Sequence, residues 1–570
     1  MGMELCDTIL YNGKIVTVDD DFSIAEAVAI GNGKFLKIGG NDEIRALAGP
    51  NTREIDLDNS MVVPGFIDTH PHVIHEGELL PTSIPLSGLS SIESIKKLIA
   101  ENVKKTPPGE WIVTMPLGEP PYYHNHNVPS VILKEKRYPT RWDLDEVSPN
   151  NPVYISAPMS KSPSTAVLNS YGLKLMNVTK DTLSKQDGVE IVKDSETREP
   201  NGQLHGMQML SQFSPFYWKL ASMLPQPTFE EMIEGVKQIM KERSEAGITS
   251  VYECHLTTTK ELLLAKRLWE KGELPMRIYF AYEVDTKKSL EEIESWMQSF
   301  AHATASGFGD DWLKIGGITV SIDGMAQFGA ALMNKPYLTW DGGQTKGEMS
   351  IPLEKLKQIA VLAARNDLRF NCCVSGDRSA DITLEVFEET NKEVPIKDKR
   401  WLIQHIIIPG HENIQKCKEL GVVITTCSNI EWGRGKKEYV DRLGDWGYIE
   451  RTVPFRDWLD AGVVVAQSTD FGPYEPMFTI WQSLKRIDGR TGKSLMTPHK
   501  KISREEAIRL YTINGAKVLF WEDKLGSIES GKLADLVVLE KDILTCPVDE
   551  IKDTKVLLTM IEGEVVYEKS

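Results

Sequence analysis

The residues from Pro64 to His72 pose the first chemical question. Pro64-Gly65-Phe66-Ile67-Asp68-Thr69-His70-Pro71-His72 carries a short apolar run into two histidines one residue apart. On an extended strand, side chains two apart project to the same side. His70 and His72 are therefore expected to leave a strand end together, as two imidazoles aimed at one metal ion. Two unrelated surface histidines can share that spacing, so the pair gains meaning only from partners. The sequence offers Glu253 and His255 in Tyr252-Glu253-Cys254-His255, Cys373, His405 and Asp470. Carboxylate, imidazole and thiolate are the usual ligands of zinc and its neighbours. His70, His72, Glu253, Cys373, His405 and Asp470 all stand at or just after the end of an apolar, strand-like run.

Those runs alternate with helical segments. Ser250-Val251-Tyr252 precedes a helical pattern from Thr259 to Trp269, and Met276 to Phe280 precedes another from Leu290 to Phe300. Ile318 to Ile322, Arg369 to Val374, Trp401 to His405, Val422 to Thr426 and Val463 to Ala466 follow. This alternation predicts an α/β fold with a parallel sheet, of a length that suits an eight-stranded (β/α)8 barrel. In such barrels the chemistry sits at the C-terminal strand ends.

The chain ends read differently. Thr8 to Tyr11, Lys14 to Val18, Ala27 to Ile30 and Lys34 to Ile38 are candidate strands, and Asn12-Gly13 predicts a hairpin between the first two. Leu536 to Leu539, Lys555 to Ile561 and Gly563 to Tyr567 are candidate strands at the other end. Residues 1–63 and 525–570 are expected to form one small β-sandwich domain, and residues 64–524 the barrel. The interval between His72 and Ser250 exceeds what one or two strand-helix units fill, so an inserted lobe is expected at about 80–225.

Composition narrows the function classes. With 41% hydrophobic and 26% charged residues, the chain is an ordinary globular protein, and its 570 residues call for two or three domains. A net charge of −17 speaks against nucleic-acid or anionic-membrane partners, which need basic patches. The most apolar windows are strand-length, and the N-terminus lacks a signal-peptide pattern. Seven cysteines without regular spacing suit a reducing cytoplasm.

Several stretches together carry a family likeness. "NGKIVTVD", "VVPGFIDTHPH", "RWDLDEVSPNNPVYI" (141–155), "VLNSYGL" (167–173), "IDGMAQFGAALMNKPY" (322–337), "SGDRSADITLEVFEE" (375–389), "QSTDFGP" (467–473) and "LGSIESGKLADLVVLEKD" (525–542) occur in order. In these the chain resembles the amidohydrolase superfamily, within it the branch of metal-dependent hydrolases that includes N-substituted formamide deformylase. The resemblance implies a distorted (β/α)8 TIM barrel whose metal centre activates water to break a C–N bond. It places His70 and His72 as ligands from the first strand. His405 matches the sixth-strand histidine, a metal ligand or carbonyl polariser. Asp470 matches the eighth-strand aspartate, ligand and general base.

Two positions depart from the pattern. The histidine common before Gly-Asp-Arg is replaced by Cys373, either a thiolate ligand or a small packing residue. The lysine that bridges two metals when carboxylated falls on Thr319, with Lys314 nearby but five residues away. One divalent ion is therefore expected rather than two, Zn first, with Mn or Fe as alternatives. Glu253 and His255 share a strand face in an unbroken strand and are candidates to complete the site.

His124 and His126 are read as lid residues, and Tyr122, Tyr123, Trp142 and Trp432 as candidate aromatic pocket walls. Arg434, Lys436 and Lys437 either attract an acidic substrate or form a solvated loop. The sequence reading leads to hydrolysis of a non-peptide C–N bond in an amide, N-formyl, N-acyl or cyclic amide substrate. The alternatives are a metal-dependent isomerase or decarboxylase, and a metal-depleted ligand-binding or regulatory protein. The expected partner is a small molecule, with a homodimer as an open option.

Overall fold

Eight parallel strands follow one another in chain order across a single sheet. They are β1 (Phe66–Asp68), β2 (Ile248–Leu256), β3 (Arg277–Glu283), β4 (Leu313–Ser321), β5 (Phe370–Val374), β6 (Leu402–His405), β7 (Val423–Thr426) and β8 (Val465–Gln467). The computed structural model describes residues 6–118, 129–157, 164–186, 189–207, 215–304, 307–339, 342–444, 451–470, 472–495 and 500–569. Strands such as Val423-Ile424-Thr425-Thr426 are buried throughout, as parallel strands covered on both faces must be. Ile67, Tyr252, Tyr279, Leu402, Val423 and Ala466 fill the interior, with Leu519 and Trp521 packed against them. This is a filled core and not a pore. Outside run helices with one apolar stripe; in Leu353–Arg365 the buried positions include Leu356, Ile359, Ala360 and Ala363.

The barrel is nearly closed. Among the described residues no ladder joins β8 to β1, and isolated bonds span the seam. Thr69 Oγ1 donates to the Gln467 carbonyl at 3.1 Å. The Thr469 amide donates to Asp68 Oδ1 at 3.1 Å. The Asp470 amide donates to the His70 carbonyl at 2.8 Å.

Further sheets come from the chain ends. Thr8–Tyr11 pairs antiparallel with Ala27–Gly31 and parallel with Arg53–Asp56. Lys14–Val16 instead joins Ile24–Ala25 and Met61–Pro64 in a six-stranded sheet with Leu536–Leu539, Val556–Ile561 and Glu564–Glu568. The hairpin expected at Asn12-Gly13 is thus not formed, because the turn carries the chain from one sheet to the other. Gly13 is needed there: a Cβ would sit 2.3 Å from Leu57 Cδ1.

Another six-stranded sheet lies between β1 and β2 in the sequence, from Ile112–Thr114 to Pro200–His205. The stretches around Arg141 and Asn169 hold it together. Asp143 accepts from the Thr140 amide at 2.7 Å and pairs with both terminal nitrogens of Arg137. Asn169 caps helix Ser170–Leu175 and donates to the Ser148 and Asn151 carbonyls. Among the described residues no helix is long and apolar enough to cross a membrane.

Candidate metal centre

β1 stops at Asp68, so His70 and His72 do not leave a strand side by side as expected. The chain turns, and His72 adopts a left-handed backbone (φ 58°) as it caps helix Val73–Leu79. The turn still brings the two rings together. Their Nε2 atoms are 3.0 Å apart, and His72 Nε2 lies 3.3 Å from Asp470 Oδ1. The His70 and His405 ring centres are 4.6 Å apart. One donor atom each of His70, His405 and Asp470 falls within 4.8 Å of the others. His405 (φ 66°) and Asp470 (φ 54°) are also left-handed. Such conformations cost about 1–3 kcal/mol each and persist where surrounding structure enforces them.

Burial sets the charge of this group. It pushes His72 and His405 down to about 4, and His70 well below the usual imidazole range, with the neighbouring imidazoles adding to the effect. The rings are thus neutral at pH 7 and offer lone pairs, the form that binds metals. His405 Nδ1 is buried with no hydrogen-bond partner among the described residues. The neutral imidazoles of His70 and His405 with the Asp470 carboxylate, and His72 beside them, offer donors that fit a divalent ion such as Zn, Mn or Fe.

Beside this group the structure places the expected candidate His255, together with Cys254 and Glu283, which the sequence reading passed over. Cys254 Sγ lies 3.1 Å from His70 Nδ1, and Cys254, His255 and His70 form another set of mutually close donors. His255 donates from Nδ1 to Glu283 Oε2 at 2.6 Å, and Ser321 donates from its hydroxyl to Glu283 Oε1 at 2.9 Å. Burial alone would lower the His255 pKa, but the neighbouring carboxylates, Glu283 first and then Asp470 and Glu253, together raise it. Glu283 ends a strand-like run, the same signal that marked Asp470.

Glu253 and His255 do not share a face. A register shift between Glu253 and Leu256 rotates the strand end, so adjacent Cys254 and His255 both approach His70. Glu253 accepts from the Ile74 amide at 3.2 Å, and its carboxylate forms a separate set of mutually close donors with His72 and the unforeseen His75. Burial pushes Glu253 up to about 8.

Other expectations change as well. Cys373 is half-buried on β5, between Ser321 and Gln404. It belongs to no close three-donor set among the described residues. Lys314 stands at the start of β4, over the Tyr279 ring at 5.1 Å, at the barrel end opposite the imidazoles and out of their reach. Thr319 accepts from Asn371 Nδ2 at 3.2 Å inside the barrel. Asp323 accepts from the Leu332, Ser375 and Gly376 amides and the Ser379 hydroxyl at 2.7–2.9 Å, which explains the "IDG" and "SGDRS" stretches as a clamp between the loops after β4 and β5. Arg434 is buried and not in a solvated loop. Trp142 is exposed, and Trp432 packs edge-on against Phe478. Tyr122, Tyr123, His124 and His126 lie outside the described residues.

A sequence model of the amidohydrolase family matches residues 53–567. The chain is 25% identical to N-substituted formamide deformylase of Arthrobacter pascens over 584 aligned positions, covering all of this chain and 99% of that protein. It is 26% identical to Protein LONG AFTER FAR-RED 3 of Arabidopsis thaliana, covering 99% and 92%. Among solved structures, an uncharacterised metal-dependent hydrolase from Pyrococcus furiosus superposes with a TM-score of 0.70 at 22% identity, covering 95% of this chain and all of that one.

Proposed function

We propose, from the premise that the chain belongs to the amidohydrolase family, that it hydrolyses a non-peptide C–N bond in a small amide at the mouth of its barrel. The supporting observation is the set of mutually close donors from His70, His405 and Asp470 at the C-terminal strand ends, with His72 Nε2 3.0 Å from His70 Nε2 and 3.3 Å from Asp470 Oδ1. As a family member the chain is a metal-dependent hydrolase; one ion, Zn before Mn or Fe, is our reading of this donor set. His70, His72, His405 and Asp470 would hold it. When bound, a divalent ion supplies Lewis acidity that makes water a nucleophile near neutral pH.

The protein's own groups do the rest. Asp470 is fixed by its backbone bond to His70 and presents its carboxylate beside His72. In this position it takes the proton of the attacking water and later returns it to the leaving amine. Because His405 is held neutral, it adds no positive charge that would compete for the site. His255, oriented by Glu283, faces the same space and is placed to bind or steer the substrate carbonyl.

Metal analysis and an activity screen test the reading. Purified protein is expected to hold close to one Zn, Mn or Fe per chain after reconstitution. It should hydrolyse members of a panel of N-formyl and N-acyl amines, hydantoins and lactams. Well under one ion per chain after reconstitution would sink the proposal, and a substrate turned over without C–N cleavage would favour isomerisation or decarboxylation.

A further inference from the structure

Arg434 lies in the helix Asn429–Gly435 that follows β7, with only 2% of its surface exposed. Its Nε and Nη2 are buried and have no hydrogen-bond partner among the described residues. A guanidinium cannot discharge itself by losing a proton, and a buried cation is costly unless it is paired.

Those two nitrogens are the edge that meets a carboxylate side-on with two parallel bonds. Two other buried arginines in this chain use that same edge. Arg277 donates from Nε and Nη2 to the two oxygens of Asp535, both at 2.9 Å. Arg486 donates from the same two atoms to the two oxygens of Glu431. Arg369 and Arg243 also have unsatisfied nitrogens, but Arg369 lies over the Tyr252 and Phe520 rings and Arg243 over Tyr474 while pairing with Glu76. Among the described residues the guanidinium of Arg434 meets a neutral partner, the Tyr439 hydroxyl.

Its helix is bolted to the mouth. Asn429 Nδ2 donates to the carbonyls of Thr469 and Pro473, both at 2.9 Å, on either side of Asp470. Gln467 donates to Ser428 Oγ at 2.8 Å. A chain of net charge −17 repels anions at long range, so capturing one needs a local, desolvated cation of this kind.

We propose that the buried, unpaired Nε/Nη2 edge of Arg434 receives a carboxylate carried by the substrate, which makes N-formyl and N-acyl amino acids the preferred substrates over neutral N-acyl amines. This specificity rests on the hydrolase reading above.

The test compares N-formylphenylalanine with N-formylphenethylamine, which differ only in the carboxylate, using the full-length, zinc-reconstituted protein. Wild type is expected to prefer the carboxylate by about 10-fold or more in kcat/KM, as a bidentate charged pair should give. Arg434→Met should lose about 100-fold on N-formylphenylalanine, mostly in KM, and stay within about 3-fold on N-formylphenethylamine. Arg434→Lys keeps a charge without the fork, so it also covers a methionine variant that fails to fold; it should lose about 10-fold of the preference. An unchanged preference in either folded variant overturns the proposal. Calorimetric titration with phenylacetate judges Arg434 without turnover. Binding to wild type that weakens about 10-fold or more in Arg434→Met supports it, and equal binding to both, or none to wild type, overturns it. If neither formyl compound is hydrolysed, the hydrolase reading suffers while the phenylacetate result still decides the role of Arg434.

Discussion

The amide of Asp470 donates to the carbonyl of His70 at 2.8 Å, so the first and last strands of the barrel meet at two candidate ligands. The bond is one of those that close the seam, where among the described residues no ladder forms, and it ties the backbones that carry an imidazole and a carboxylate from opposite ends of the barrel sequence. Fold closure and site geometry therefore depend on the same few atoms. Asp68 strengthens the link by accepting from the Thr469 amide and hydroxyl and from the His70 amide.

Because the backbone, and not the carboxylate, makes that bond, Asp470→Asn should preserve the seam. The variant is expected to retain most of its metal and lose hydrolysis by about 100-fold or more. His70→Ala should lose both metal and activity. Metal content and kcat on any identified substrate check this, and normal turnover by Asp470→Asn would refute its role as base.

The two cysteines at the barrel top should separate. Cys254 touches His70 Nδ1, and disturbing a group that supports a ligand typically costs about 10–100-fold in metal affinity. Cys254→Ser is expected to fall in that range, whereas Cys373→Ser should stay within about 2-fold because Cys373 lies outside every close donor set among the described residues. Competition for zinc with a chelator of known affinity measures both.

Asp323 gathers three amides and a hydroxyl from separate loops. Replacing it with alanine strands buried donors that each cost about 1–3 kcal/mol. Asp323→Ala should therefore lose roughly 3 kcal/mol or more of stability, read as a shift of the urea midpoint. An unchanged midpoint would mean that the loops relax around the gap.

Asp143 gives a pH signature away from the site. Burial works against its ionised form, yet Arg137 and the Thr140 amide and hydroxyl hold its carboxyl down to about 2. A depressed carboxyl stabilises the fold above its unfolded pKa of about 3.8 and loses that contribution as pH falls toward 2. Asp143→Asn should then be about 1 kcal/mol less stable than wild type at neutral pH. The gap should shrink between pH 4 and pH 2, as thermal midpoints across that range would show. A gap independent of pH would assign the effect to packing.

The sequence by itself determined the strand-helix alternation, the parallel barrel and the residues at its strand ends, because hydrophobic period and run length are local properties. His70, His72, His405 and Asp470 were legible for the same reason: each follows an apolar run. The tertiary structure alone decided which donors meet. After the register shift at Glu253, Cys254 and His255 meet His70 while Glu253 meets His72 and His75. The start of β4 puts Lys314 at the wrong end, and strand β3 delivers Glu283 to His255. The helix after β7 buries Arg434 against the mouth, where the sequence left a solvated loop open. Facing and depth depend on register, strand length and left-handed turns such as those at His72, His405 and Asp470. These are fixed by contacts between segments hundreds of residues apart, and local pattern cannot encode them.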